Sequence, residues 1–427
     1  MSQLALFGGA PVRSRPFPAW PAFDASEERA LLEVLSSGRW WNGVQAFQPG
    51  SSPDAPSKAA EFESEFAAFL GAKFALVCAT GTAALEVALK AAGVGPEDEV
   101  IVPPYTFLAT ASAPLLLGAI PVFCDIERET LNLDPAKLEG AITGRTRAII
   151  PVHFAGLPAD MDRILEIARA RGLFVLEDAA HAHGAGSRGR KLGTLGHAGI
   201  FSFQGSKNMT AGEGGAIVTD QAGLAELCNS YIWGGRLPSR PWYEHYRLGW
   251  NYRITEFQAA ILSAQLKRLP QQLAARMRNG LRLNERLAEI PGISPLAIPA
   301  WVDMHAFHLY IFRVDPQAFG VSRDQLIAAL QAEGIPCSAG YSHPLYRNPM
   351  FLDQQFHGNG APLAPPGIYT DFLQYANACP EAERACQEVV WIEHRVLLSP
   401  PEEAEDVVRA IGKIHECRGE FRPVLAE

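Results

Sequence analysis

The chain has 427 residues, of which 48% are hydrophobic and 19% are charged, so it can bury a large core and is not intrinsically disordered. Its formal net charge of −9 makes nucleic acid and membranes unexpected partners, and its longest apolar stretch, residues 111–123, is too short to cross a bilayer. The N-terminus lacks the basic start of a signal peptide, and the seven cysteines show no CxxC spacing. We therefore expect a cytoplasmic protein without a disulfide framework.

The first 60 residues are predicted to form an N-terminal segment and active-site loop, with a helix over residues 26–35 and a loop over residues 42–60. From there to residue 220, helical and strand patterns alternate. Strands are predicted at 74–78, 99–103, 120–125, 147–153, 173–178, 198–204 and 214–219, and helices at 61–70, 83–92, 108–117, 134–141 and 160–171. This alternation predicts an α/β fold with a mostly parallel seven-stranded sheet and helices on both faces. The short link between the last two strands favours one antiparallel pairing.

The pattern changes to long helices at Thr255, where Thr255-Glu256-Phe257-Gln258 fits a capping box. Pro270 is expected to bend or end the first helical segment. Further on, a strand at 308–314 and helices at 322–333, 379–391 and 401–415 suggest a smaller α+β domain. The predicted domains are the segment 1–60, a large cofactor-binding domain over 61–265 and a small C-terminal domain over 266–427.

The most informative segment, FSFQGSKNMTAGEGG, places one lysine, Lys207, between a buried strand pattern and a glycine-rich turn. A lysine amine becomes a nucleophile towards carbonyl groups when a dry or cationic setting lowers its pKa. A surface lysine in a polar loop is the commoner explanation for any single lysine. Lys207 is therefore a candidate that needs support from other segments.

Two other segments supply that support. The apolar strand LFVLED ends in Glu177 and Asp178, at the strand end where open α/β sheets bind ligands, although Glu177 could equally be solvated. Thr80-Gly81-Thr82 opens a helix whose free N–H groups suit an anion. An aspartate for a pyridinium nitrogen, a lysine for a Schiff base and a phosphate cradle are the groups that pyridoxal 5′-phosphate (PLP) requires.

Two patterns in the same region resemble ligand sites but lack the surroundings that such sites need. Residues 184–189 match GxGxxG but neither open a helix nor lead a βαβ unit, so they are interpreted as a turn-rich loop. His181 and His183 have no third ligand at a recognisable metal-binding spacing, so no metal site is expected. We expect His181 to contact the cofactor and His183 to be structural.

Five motifs together resemble the sugar aminotransferase family called DegT/DnrJ/EryC1/StrS: GTAALEVAL, VPPYTFLATASA, EDAAHAHG, FSFQGSKNMTAGEGG and NYRITEFQAAI. The opening LALFGGAPVRSRPFPAWP, followed by GRWW, is similar to the branch that contains keto-inositol aminotransferases and aminohydroxybenzoate synthases. The resemblance implies the fold-type-I architecture of PLP-dependent transferases. It also implies a homodimer whose active sites lie at the subunit interface.

The resemblance implies a role for each matching residue. Lys207 would hold PLP covalently and move the proton, and Asp178 would hold the pyridinium nitrogen. The remaining cofactor contacts would be Gly81, Thr82 and Ser202 at the phosphate, Phe107 stacked on the ring, His181 near the phenolic oxygen, and Asn251 reaching the phosphate of the neighbouring subunit.

These roles predict an aminotransferase that moves an amino group from L-glutamate or L-glutamine to a nucleotide-linked keto-sugar or a keto-cyclitol. One alternative is a PLP-dependent synthase or eliminase of the same family, similar to aminohydroxybenzoate synthase. Another is a non-catalytic sensor that retains the fold, against which the presence of Lys207 and Asp178 argues.

Overall fold

The computed structural model describes residues 3–41, 57–237, 240–241, 243–354 and 371–421, so most of the loop predicted over residues 42–60 lies outside the described residues. The strands are β1 Phe74–Cys78, β2 Glu99–Val102, β3 Ile120–Phe123, β4 Thr146–Ile149, β5 Phe174–Asp178, β6 Gly186–Ser187, β7 Arg190–Lys191, β8 Ala198–Ser202, β9 Gly215–Thr219, β10 Ile293–Pro295, β11 Val302–Met304, β12 Leu309–Val314, β13 Cys337–Ser338 and β14 Val389–Glu393. The helices are α1 Ala25–Ser37, α2 Lys58–Leu70, α3 Gly81–Ala91, α4 Ala109–Leu116, α5 Pro135–Ala141, α6 Met161–Arg171, α7 Ala222–Ile232, α8 Glu256–Leu287, α9 Pro316–Phe319, α10 Arg323–Ala332, α11 Pro349–Asp353, α12 Tyr375–Ala378, α13 Pro380–Glu388, α14 Pro401–Ala404 and α15 Asp406–Glu416.

A seven-stranded sheet in the order β1-β9-β8-β5-β4-β2-β3 forms the centre of the fold. The pairs β8–β5, β5–β4, β4–β2 and β2–β3 are parallel, and β9 runs antiparallel to both of its neighbours, β1 and β8. The prediction of a mostly parallel seven-stranded sheet is confirmed, as is the antiparallel pairing of the last two strands. Because the parallel strands share one direction, their carboxyl ends meet at one edge of the sheet.

Alternating side chains on the strands bury the two faces of this sheet under different helices. On β2, Val100 and Val102 pack in the cluster that includes α3 and α4, whereas Ile101 packs on the other side with α5 and α6. On β9, Ile217 joins the first cluster, while its neighbours join a cluster with α2 and α8. Helices therefore cover both faces, as predicted, because every second side chain points to each face.

A second, four-stranded sheet in the order β10-β12-β14-β13 lies in the C-terminal half of the chain. Its core is shared with α10, α15 and the end of α8. The predicted helix over 379–391 is wrong at its end, because residues 389–393 form the strand β14. The helix predicted over 401–415 is divided into α14 and α15. The predicted boundaries between the domains remain predictions.

Helix α8 runs from the face of the large sheet that it covers together with α2 to the core of the small sheet. It begins at the predicted capping box, in which Thr255 accepts from the N–H of Gln258. It does not end at Pro270, because the helix continues to Leu287 with buried leucines on either side of the proline holding it in place. Packing of that apolar face outweighs the loss of one backbone donor.

One further expectation, the extent of the loop predicted over residues 42–60, is corrected by the structure. Helix α2 begins at Lys58, inside the range predicted as loop, with Ser57 accepting from the N–H of Ala60. Residues 184–189 contain the short strand β6, which pairs with β7 and β11. No helix among the described residues is both long enough and apolar enough to cross a membrane.

Candidate active site

A cavity of about 1040 Å³ lies between the carboxyl edge of the large sheet and the small sheet. Seven of the eight predicted cofactor residues line it: Gly81, Thr82, Phe107, Asp178, His181, Ser202 and Lys207. They come from segments far apart in the chain, and the ends of β5 and β8 and the N-terminus of α3 bring them together. Asn251 is exposed and is not among the residues that line this cavity.

Lys207 lies in the turn that follows β8. Its backbone N–H donates to the carbonyl of Gln204 (2.9 Å), which closes the turn and directs the lysine into the cavity. Burial lowers the pKa of the Lys207 amine from its usual 10.5 to about 8, and the nearby Asp178 carboxylate partly opposes that shift. A substantial fraction of the amine is therefore neutral, and nucleophilic, near pH 8.

Asp178 is the last residue of β5 and is 5% exposed. Its Oδ2 accepts from the hydroxyl of Thr110 (2.8 Å) and its Oδ1 accepts from the N–H of Ala180 (3.2 Å). Burial raises the pKa of this carboxyl, while both hydrogen bonds and the Lys207 charge act in the opposite direction. Both donors are neutral, so the carboxylate is oriented without a direct ionic partner, and a protonated pyridine nitrogen would provide one.

Glu177, which could have been solvated on the sequence alone, is fully buried. It accepts from three backbone N–H groups, those of Gly193 (2.8 Å), Leu195 (2.6 Å) and Gly196 (2.6 Å). His153 accepts from the N–H of Ala159 through Nδ1 (3.1 Å), so its Nε2 carries the proton and donates to Glu177 (2.9 Å). Glu177 thereby anchors the end of β5 on which Asp178 lies.

The N-terminus of α3 forms the anion-binding part of the cavity. Thr80 caps the helix by accepting from the N–H of Ala83 (3.0 Å), and Gly81 and Thr82 follow it along the cavity wall. A Cβ on Gly81 would lie 2.8 Å from the Cβ of Ser202, so only glycine allows the helix to approach β8 this closely. Free N–H groups, the helix dipole and the Ser202 hydroxyl thus converge where a phosphate would bind.

His181 lines the cavity in a cluster that the sequence did not reveal. Burial lowers the pKa of His181 well below its usual value, and its Nδ1 is buried without a partner among the described atoms. The ring of His308 lies 4.2 Å from it, and His308 Nδ1 donates to Asn208 Oδ1 (3.2 Å). The neutral His181 ring therefore has hydrogen-bonding capacity left for a ligand.

The other predicted residues have different surroundings. Phe107 is 60% exposed at the cavity, where a ring could stack on it. His183 does not line the cavity and packs against Phe201 and Phe203. Asn251 forms an isolated bridge with Trp233. Among the described residues, no group of three or more His, Cys, Asp or Glu is arranged to hold a metal ion.

The wall opposite the sheet comes from residues that the sequence analysis did not single out. It includes Trp20 from the N-terminal segment and a run at the end of β14, and its members are Ala19, Trp20, Tyr341, Trp391, Glu393, His394 and Arg395. The one signal in the sequence was the polar run Glu393-His394-Arg395 directly after an apolar strand. Nothing local connected that run with Trp20.

These residues fit PLP. The helix N-terminus with its close glycine suits the phosphate. The buried Asp178 forms no direct ion pair within the described part of the chain, and Lys207 has the lowered pKa that reaction with an aldehyde needs. His181 offers an unused ring nitrogen. When bound, PLP would supply the electron sink for a carbanion next to its imine.

Comparisons with known proteins agree with this chemistry. The sequence model of the DegT/DnrJ/EryC1/StrS aminotransferase family matches residues 26–412. The chain is 39% identical to the L-glutamine:scyllo-inosose aminotransferase of Streptomyces griseus, with 97% of each chain covered. It is 38% identical to the 3-amino-5-hydroxybenzoate synthase of Amycolatopsis mediterranei, covering 90% of this chain and 93% of the relative. A crystal structure of 3-amino-5-hydroxybenzoic acid synthase superposes with a TM-score of 0.84 at 36% identity, covering 95% of this chain and all of that one.

The chain therefore belongs to the DegT/DnrJ/EryC1/StrS family of PLP-dependent aminotransferases and has the fold-type-I architecture.

Proposed function

We propose that this aminotransferase moves the amino group of L-glutamine to the keto group of a cyclitol. The observation that carries the chemistry is the single cavity in which Lys207, Asp178 and the N-terminus of α3 meet. The proposed substrates are supported by similarity over nearly the whole chain to proteins named as L-glutamine:scyllo-inosose and L-glutamine:2-deoxy-scyllo-inosose aminotransferases. The cavity is also large enough for a cofactor and a six-membered ring.

The proposed roles of the site residues follow from their surroundings. Lys207 would hold the cofactor covalently, and its neutral Nζ would take the α-proton of the donor and give it up again. Asp178, oriented by Thr110, keeps a proton on the pyridine nitrogen. Gly81, Thr82 and Ser202 bind the phosphate, His181 bonds the phenolic oxygen, and Phe107 stacks on the ring.

The experiment that tests this proposal separates the two half-reactions. The PLP-loaded protein is mixed with L-glutamine or L-glutamate, and the loss of cofactor absorbance is followed. The aminated protein is then offered keto-cyclitols and nucleotide-linked keto-sugars. We expect L-glutamine to convert the cofactor faster than L-glutamate does, and a keto-cyclitol to restore the original cofactor absorbance. If only nucleotide-linked keto-sugars restored that absorbance, the proposed acceptor would be wrong.

A synthase activity is the second candidate, favoured by the similarity to 3-amino-5-hydroxybenzoate synthase in sequence and structure. Such an enzyme would remove water from a keto-substituted ring carboxylate that already bears an amino group, which stays in place, to give an aromatic amino acid. The appearance of an aromatic ultraviolet band from such a substrate, without any amino donor, would favour this candidate. Full dependence on a donor would favour the aminotransferase.

We further propose that the working unit is a homodimer in the cytoplasm, in which Asn251 completes the phosphate site of the partner. The proposal is supported by the position of Asn251 on the surface, close in sequence to Leu248, which is 84% exposed. Arg253 lies over the ring of Trp233 (5.1 Å to the centroid), the residue that bridges Asn251.

Mixing inactive Lys207→Ala subunits with Asn251→Ala subunits tests the shared site. Heterodimers would contain one site with both defects and one site with neither, so part of the activity should return. A fully active monomer at high dilution would contradict the proposal, as would verified heterodimers without recovery.

A further inference from the structure

Arg276 of α8 is a buried positive charge without a carboxylate partner. It is 0% exposed, and no ion pair within the described residues includes it. Its Nη2 donates to Nδ1 of His394 (3.1 Å), whereas its Nε and Nη1 are buried without hydrogen-bond partners among the described atoms. Burial lowers the pKa of this guanidinium to about 9.

Two aromatic rings separate Arg276 from the cavity. Its Cζ lies 5.3 Å from the centroid of the Trp20 ring, and the rings of Trp20 and His394 meet edge to face at 4.5 Å. Both rings line the cavity. A single layer of aromatic rings therefore separates this positive charge from a ligand on this side of the cavity. Because these surroundings have a low dielectric constant, the charge interacts strongly with such a ligand.

The same two rings contact the turn that carries Lys207. Because a guanidinium can only donate, His394 must accept at Nδ1, so its Nε2 carries the proton and donates to the carbonyl of Ser206 (3.1 Å). Trp20 donates from Nε1 to the carbonyl of Gly205 (3.0 Å). This wall thus borders the lysine at which the donor reacts.

Arg395 adds a second positive charge on the same wall. Its Nε pairs with Glu393, its Nη1 donates to the carbonyl of Pro18 (3.4 Å), and its side chain is 27% exposed. Glu393 also lines the cavity and is 53% exposed. Arg276, Arg395 and Glu393 together leave this wall with a net positive charge.

We infer that the wall formed by Trp20, His394 and Arg395, with Arg276 behind it, binds the α-carboxylate of the amino donor. This inference rests on the proposed function. The α-carboxylate is attached to the carbon that bears the reacting amine, so it must lie beside Lys207, where this wall lies. It also brings a negative charge that offsets the net positive charge of the wall, and Arg395 offers it charge-assisted hydrogen bonds.

The wall then distinguishes the two substrates. A keto-cyclitol has no carboxylate, so it gains little from Arg276 and Arg395. When it is bound, Glu393 remains the counter-ion of Arg395. Loss of the Arg395 charge should therefore weaken the donor half-reaction and leave the acceptor half-reaction nearly unchanged.

The deciding experiment compares Arg395→Gln with wild type in both half-reactions, with Lys267→Gln, an exposed lysine on α8, as the matched control. We expect the L-glutamine concentration for half-maximal rate to rise about tenfold or more in Arg395→Gln, with the value for the keto-cyclitol changed less than about threefold. L-glutaminol, which lacks the carboxylate, should react equally slowly with both proteins. Equal rises for donor and acceptor, or no rise for the donor, would overturn the inference.

A binding measurement without turnover supports the same decision. α-Methyl-L-glutamate carries the carboxylate but has no α-proton to lose, so its binding to the PLP-loaded protein can be titrated by absorbance. We expect Arg395→Gln to weaken this binding about tenfold. Unchanged binding would overturn the inference.

Arg276→Met provides an independent test with two readouts of opposite sign. Replacing an unpaired buried charge by an apolar side chain of similar length should leave the unfolding temperature unchanged or raise it, while donor binding weakens. If Arg276 had a purely structural role, this substitution would lower both the unfolding temperature and the affinity for the donor. If Arg276→Met does not fold, Arg395→Gln alone decides.

Failure of this inference can be told apart from failure of the proposed function. If wild-type protein is not converted by L-glutamine or L-glutamate, the proposed donor chemistry is wrong. If wild type is converted and Arg395→Gln behaves identically, only the carboxylate site is wrong.

Discussion

The two sides of the cavity differ in how the chain brings their residues together. On the sheet side, each chemical group follows a strand or opens a helix: Gly81 begins α3, Asp178 ends β5 and Lys207 follows β8. On the opposite side, Trp20, Arg276 and His394 come from three distant parts of the chain and meet only in the folded protein. The difference teaches that the residues proposed for the reaction can be recognised in local sequence, whereas those proposed for binding the donor are brought together only by tertiary contacts.

The strongest test of the sheet side is Lys207→Ala. Loss of the amine removes both the covalent attachment of PLP and the proton carrier, so we expect the rate to fall by roughly 10⁴-fold or more. The phosphate cradle is unchanged, so PLP should still bind noncovalently. Stopped-flow absorbance measures the rate, and the exposed Lys267→Ala serves as the control. Normal transamination by folded Lys207→Ala protein would refute the assignment.

Asp178→Asn should have the next largest effect. The amide keeps the shape but loses the charge that holds a proton on the pyridine nitrogen, so we expect the barrier to rise by roughly 3 kcal/mol. Steady-state kinetics measure this, with the exposed Asp162→Asn as the matched change. A rate reduced less than tenfold would mean that another residue holds that nitrogen.

Glu177→Ala tests whether Glu177 stabilises the end of β5 on the sheet side of the cavity. Four donors would lose their acceptor in a buried place, so we expect the free energy of unfolding to fall by roughly 3 kcal/mol. Urea denaturation measures this. The exposed Glu166→Ala should change the stability by less than about 0.5 kcal/mol. Equal stability of both variants would contradict the anchoring role.

The smallest effect expected is a pH dependence on the sheet side. Since burial lowers the pKa of Lys207 to about 8, the neutral amine becomes scarcer as the pH falls below that value. The rate of PLP attachment to the cofactor-free protein should therefore rise with pH up to about 8 and then level off. Absorbance at several pH values measures it. A rate that keeps rising to pH 10 would show that the amine retains its ordinary pKa.

The same division explains what the sequence could predict. Apolar periodicity and glycine positions gave the seven strands, and the order of cradle, acidic strand end and lysine turn indicated the cofactor. Glu177 was left open, because its partners at 193–196 lie in a loop with no pattern of its own. Arg276 on α8 and His308, just before β12, were missed, because the local sequence around a buried arginine or histidine is the same as around an exposed one.

The contact between Gly81 and Ser202 limits how this site can change. A Cβ added at residue 81 would lie only 2.8 Å from the Cβ of Ser202, so any larger residue there would require the helix or the strand to shift. A larger residue at position 81 would therefore have to separate the two elements that we propose bind the phosphate. We therefore expect new substrates to be accommodated on the other side, where the lining residues Tyr341, Trp391 and Arg395 do not belong to the large sheet.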